Sequence, residues 1–294
     1  MGLRSILVSL SGDTRDSAVL DLASRAADIG NAVVTALYTE ETILRAVPHA
    51  GWPMPQAFGP VVDLNDESWN ALKAELNERR ANAARHFNTW QERRESLMPA
   101  SVGHTKMLVE SGAGADLLSM HRLVSDLAIV PLGSGEAAGI IETALGACNC
   151  SVLGAPATVG EYAPLEEPIL VAWDRSREAA RAVRASLPLL KRARRGMVVM
   201  TVGRSVGPVT FREGIGYLAT HDVDTWAQPV EDGDVGPRLL QCAADRGAGL
   251  LVAGADSHSR FREAVFGGVA RYIASHATLS AQRSSPIDRR SGRT

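Results

Sequence analysis

The chain repeats itself. Ile6-Leu-Val8 returns as Ile169-Leu-Val171, and in both places a short polar turn leads into an Ala- and Leu-rich helical pattern. An internal duplication on this scale predicts two similar units, each burying a core of its own. In the first copy, residues 3–10 read as a short buried strand, Ser11-Gly12-Asp13 as a turn, and the next segment as a helix with Leu20, Leu22 and Ala23 inward. Asn31 to Tyr38 is the next strand. Strand, helix, strand is the unit of a parallel sheet.

The rest of the first copy follows the same alternation around one interruption. Residues 39–65 carry Pro48, Pro53, Pro55 and Pro60 and lose all periodicity, so they read as an insertion. A long helix is expected over 66–95, with Trp69, Leu72, Leu76, Ala83, Phe87 and Trp90 on one face. Its Arg79, Arg80, Arg93 and Arg94, interleaved with Glu75, Glu78, Glu92 and Glu95, read as a solvated face. Strands over 102–110, 127–131 and 150–153, with helices over 115–123 and 137–146, complete a domain at 1–155. Residues 156–167 are the linker.

The second domain, 168–279, alternates likewise: helix 177–192, strand 196–202, helix 211–221, strand 223–229, helix 233–246 and strand 250–253. It is the shorter copy, because it lacks the insertion and the long helix. After its last apolar strand comes Gly254, a polar loop and the pair Gly267-Gly268, which opens an apolar-periodic segment. A strand, a glycine loop and a helix start suit phosphate, since glycines let backbone N–H groups approach and a helix N-terminus attracts anions.

Composition excludes several classes. Lys plus Arg at 31 against Asp plus Glu at 33 give a net charge of -2, which provides no field for nucleic acid or an anionic membrane. No stretch is long and apolar enough to span a membrane and none reads as a signal peptide, so a cytoplasmic location is expected. Cys148, Cys150 and Cys242 are odd in number, and C-x-C without a second ligand pair predicts no metal site. Gly133-x-Gly135-x-x-x-Gly139 misses a dinucleotide fingerprint by one residue and follows a late strand, so it reads as a loop.

The segments ILVAWDRSREAARAV, 169–183, and LLVAGADSHSRFREAVFGGVARYIASHAT, 250–278, resemble those of the tandem universal stress proteins. The resemblance covers essentially residues 1–278. It implies an α/β fold of two tandem doubly wound parallel-sheet domains, of the adenine nucleotide alpha hydrolase-like kind. It also implies a motif G-x-x-G-x(9)-G-[S/T] around the phosphates of ATP or another adenine nucleotide. On that pattern Asp174 is the adenine-facing acid, Val202 lines the adenine pocket through its backbone, and Gly254 is the first motif glycine. Ser257 stands at the second glycine, His258 begins the nine spacers, Gly267 is the third glycine, and Gly268 takes the Ser/Thr position. The first copy has Ser11 at the acid and Pro131 at the first glycine, with no glycine pair following. Its domain is expected to bind no nucleotide and to partner the second in an intramolecular pseudo-dimer.

In such proteins a domain ends in a fifth strand. Here the end reads TLSAQRSSPIDRRSGRT, with Leu279 alone as a large apolar residue before Pro286. Composition therefore predicts that the second domain lacks its fifth strand and that 280–294 is a disordered tail. The function implied is that of a non-enzymatic regulatory module of the stress response, acting through protein partners or homo-oligomers. A slow ATPase or other phosphoryl-transfer enzyme and a nucleotide-independent scaffold remain as alternatives. Against the enzyme, the chain has no G-x-x-x-x-G-K-[S/T], and only Asp256 and Glu263 offer acids on the loop.

Overall fold

The computed structural model describes residues 3–40, 66–97, 105–132, 151–155, 167–193, 196–201, 209–230, 235–254 and 280–284. The first half runs β1 (Ser5–Leu10), α1 (Arg15–Gly30), β2 (Val33–Glu40), α2 (Asp66–Leu97), β3 (Thr105–Ser111), α3 (Gly114–Arg122), β4 (Leu127–Pro131) and β5 (Ser151–Ala155). The second runs β6 (Ile169–Trp173), α4 (Arg177–Leu190), β7 (Gly196–Thr201), α5 (Val209–Ala219), β8 (Thr225–Val230), α6 (Val235–Asp245), β9 (Leu250–Gly254) and β10 (Ser280–Ser284).

The ten strands among the described residues form one sheet in the order β3-β2-β1-β4-β5-β10-β9-β6-β7-β8. Neighbours are parallel throughout except β5 and β10, which pair antiparallel from Ala281 opposite Gly154 to Ser284 opposite Ser151. The register matches in the two halves. Ile6 pairs with Leu127 and Ile169 with Leu250, which sets Pro131 and Gly254 at corresponding strand ends. Parallel strands buried on both faces read as continuous apolar runs, and each alternate residue feeds a different core. Ile6, Val8, Ile169 and Val171 meet helices α1, α2, α4 and α5 on one face. Leu7 and Leu170 meet α3 and α6 on the other.

Two expectations are corrected. Residues 280–284 are a strand, not the start of a disordered tail, so the second half does have its fifth strand. β10 is interior, laddered to β9 on one side and β5 on the other, and backbone hydrogen bonds to two neighbours need no apolar run. Residues 285–294 lie outside the described residues, as do 41–65, the expected helix at 137–146, and 156–166. The insertion begins after Glu40, since Thr39 and Glu40 still belong to β2.

Arg94 is the second correction: Arg79, Arg80 and Arg93 are 41%, 55% and 57% exposed, as a solvated face implies, and Arg94 is not. Arg94 is only 7% exposed: its guanidinium donates to Ser24 Oγ at 2.5 Å and pairs with Asp28 at 2.9 Å. Arg93 pairs with Asp21 at 3.0 Å and Arg80 with Glu40 at 2.9 Å. These ties fix α2 on α1 and β2, and Ala83, Phe87 and Trp90 are the buried part of its apolar stripe. Leu72 and Leu76 are only half-buried.

Candidate functional site

In an open parallel sheet, a ligand crevice forms where adjacent strands send their connections in opposite directions. β6 is such a strand in the second half. It lies between β7 and β9 and leads through α4 to β7, whereas β9 precedes β10 on its other side. The last register pair of β6 and β9 is Val171 opposite Val252. Asp174 and Gly254 lie just beyond it, at the carboxyl ends of neighbouring strands.

Asp174 is exposed, immediately past β6. Its Oδ1 accepts the backbone N–H of Ser176 at 2.8 Å, an Asx turn that holds the carboxylate in place. The turn passes through Arg175 in the left-handed region, φ 65°. The Arg175 guanidinium reaches over to Glu213 on α5 at 3.1 Å. Ser176 then caps α4, its Oγ accepting from the N–H of Ala179 at 3.0 Å. The chain thus delivers an oriented acid and a helix N-terminus together. Gly254 is the last residue of β9 and partly exposed. Val202, Ser257, His258, Gly267 and Gly268 lie outside the described residues.

The matching edge of the first half is built differently. Ser11 replaces Asp174, and both its N–H and its hydroxyl donate to Oδ1 of Asp16, at 2.8 and 3.0 Å. The N–H of Gly12 donates to Oδ2 at 2.9 Å. The turn has spent its donors on a carboxylate of its own, and Asp16 is fully buried. Burial pushes the Asp16 carboxyl above its ordinary range, against the opposing pull of those hydrogen bonds. Gly12 has φ 75°, and a Cβ there would stand 2.3 Å from the carbonyl oxygen of Arg79, so α2 lies directly on this turn. Pro131, at the end of β4, offers no N–H where Gly254 has one.

Reading the sequence for motifs missed Asp16. It stands four positions before Leu20 on the inward face of α1, and an acid among apolar residues at that spacing was the available signal. Among the described residues, no group of three or more His, Cys, Asp or Glu side chains could hold a metal ion. Nor is any helix among them long and apolar enough to cross a membrane. Cys242 is a free thiol, and burial pushes its pKa up, away from a reactive thiolate.

No protein-family model matches the sequence, and no curated protein matches it. Among solved structures, the chain is similar to a universal stress protein from Archaeoglobus fulgidus DSM 4304, at 11% identity over 96% of this chain and 98% of that one, with a TM-score of 0.64. It is similar to a functionally unknown protein from Pseudomonas aeruginosa PAO1, at 14% identity over 97% and 93%, with a TM-score of 0.60. A third, from Pseudomonas aeruginosa UCBPP-PA14 and named provisionally a universal stress protein, has 15% identity over 95% and 92%, with a TM-score of 0.57. At such identities the likeness is one of fold, and the α/β fold of this chain, with its parallel β3-β2-β1-β4-β5 sheet, is that of the universal stress proteins.

Proposed function

We propose that this protein is a regulatory binding module of the stress response, two universal stress protein-like domains in one chain, with an adenine nucleotide held by the second domain alone. One observation carries the reading. An oriented, exposed Asp174 and the glycine end of β9 adjoin at the strand ends of the second half, whereas the first half closes its matching turn on Asp16. The loop from Gly254 to Gly268 would wrap the phosphates, with Ser257, His258 and Gly267 on it and Val202 beside the base. Signalling would then pass through protein partners or self-association.

Mass spectrometry of the purified chain should detect co-purifying ATP, ADP or AMP, and millimolar ATP should raise its melting temperature, because a ligand of the native state stabilises it by mass action. No nucleotide and no shift would overturn the reading.

A further inference from the structure

β6, α4 and α5 line a partly open cavity of about 240 Å³ on one face of the sheet, beside the turn that carries Asp174. Its apolar lining comes from Val171 and Trp173 of β6, Val183 of α4, and Gly214 and Leu218 of α5. In the first half α2 fills the corresponding apolar core, and the opening left between α1 and α2 is lined mainly by polar side chains, Ser17, Arg85, His86, Thr89 and Arg93, beside Trp90. That helix, 32 residues long, buries Phe87 and Trp90 in one cluster with Val8 and Leu20. Asp21 of α1, the counterpart of Arg184 when the helices are counted from their matched strands, is tied to Arg93 of α2. α5 has only 11 residues and presents glycine at 214, so the second half keeps an apolar opening where the first has side chains.

The charges on this cavity are unbalanced. Arg184 and Glu213 both line it. Glu213 is occupied by Arg175 at 3.1 Å. Arg184 is exposed and has no ion pair among the described residues. The indole N–H of Trp173 is buried without an acceptor among the described residues. Its ring edge sits 3.4 Å from where a Cβ on residue 214 would be. An apolar chamber thus has a donor in its wall and an unpaired cation at its lining, and buried donors ordinarily have partners. A cavity below the roughly 300 Å³ at which drug-sized pockets begin calls for a small occupant. One cation next to an occupied carboxylate suits a monoanion better than a phosphate dianion.

We propose that this cavity binds a small amphipathic monocarboxylate of the medium-chain fatty acid type, its chain against Val171, Trp173 and Leu218 and its carboxylate on Arg184. The site is independent of the nucleotide reading, since it uses neither Asp174 nor the glycine loop.

Decanoate is the probe, titrated into the full chain while the Trp173 indole N–H resonance, assigned with Trp173→Phe, is followed by NMR. A saturable shift of that resonance is expected. Arg184→Glu should weaken binding by at least about tenfold, Gly214→Leu should abolish it by filling the cavity, and 1-decanol, which lacks the charge, should bind at least about tenfold more weakly than decanoate. Gly214→Ala, whose methyl group meets Trp173 at an ordinary contact distance, should keep both fold and binding. An unmoved Trp173 resonance at millimolar decanoate would overturn the proposal. So would equal binding by wild type and Arg184→Glu, or decanol binding as tightly as decanoate.

Discussion

Ser11 gives both its backbone N–H and its hydroxyl to one carboxylate oxygen of Asp16, at 2.8 and 3.0 Å, and so closes the turn that its counterpart Asp174 leaves open. The two halves share a strand order and a register, yet differ at this edge by one acid moved into the helix. In the first half that acid takes the N–H groups of Ser11 and Gly12, and in the second Asp174 takes the N–H of Ser176 and stays exposed.

Asp16→Asn turns one acceptor oxygen into a donor facing the N–H groups of Ser11 or Gly12, and should destabilise the chain by about 1–3 kcal/mol in denaturant unfolding. The pH dependence has a definite sign. Burial raises the Asp16 carboxyl in the folded state above its ordinary value of 3.8. Its contribution is therefore fully present below that value and is lost as pH rises through the folded pKa. The gap between wild type and Asp16→Asn should narrow as pH rises from about 4, and a gap that widens with pH would contradict this account.

Trp90 is 3% exposed, and its indole N–H has no hydrogen-bond partner among the described residues. Its ring packs 5.6 Å from that of Phe87 and lies under the Arg94 guanidinium, 5.9 Å from the ring centre, contacts that a phenylalanine ring can largely keep. Trp90→Ala should cost about 3–5 kcal/mol, as large core truncations do, while Trp90→Phe should cost clearly less because no hydrogen bond is lost. Equal losses in the two variants would show that the indole nitrogen matters after all.

A chain ending at Leu279 loses β10 and leaves β5 and β9 as unpaired edges in the middle of the sheet. Its melting temperature should fall by at least about 5 °C, and exposed edges should promote association, visible as a larger mass by light scattering. Unchanged melting with a monomeric mass would argue against the strand.

Most of the fold was legible in the sequence because parallel strands buried on both faces announce themselves as apolar runs, as in Ile169–Trp173 and Leu250–Gly254. β10 was not, since SAQRS carries no such run and its place depends on partners distant in sequence. The site was half legible. Asp174 and Gly254 stand at the ends of neighbouring strands, the positions that the family resemblance gives them. Asp16 was hidden because its meaning depends on the backbone of Ser11 and Gly12, and Arg94 because an arginine in a charged helix does not reveal that Ser24 and Asp28 await it.

The central claim is that the second half, through Asp174, holds an adenine nucleotide. Isothermal titration of ATP into wild type, Asp174→Ala and Ser11→Ala tests it most directly. The account predicts one site per chain in wild type and Ser11→Ala, weakened at least about tenfold in Asp174→Ala. ATP binding that is indifferent to Asp174, or absent from the wild type, would contradict it.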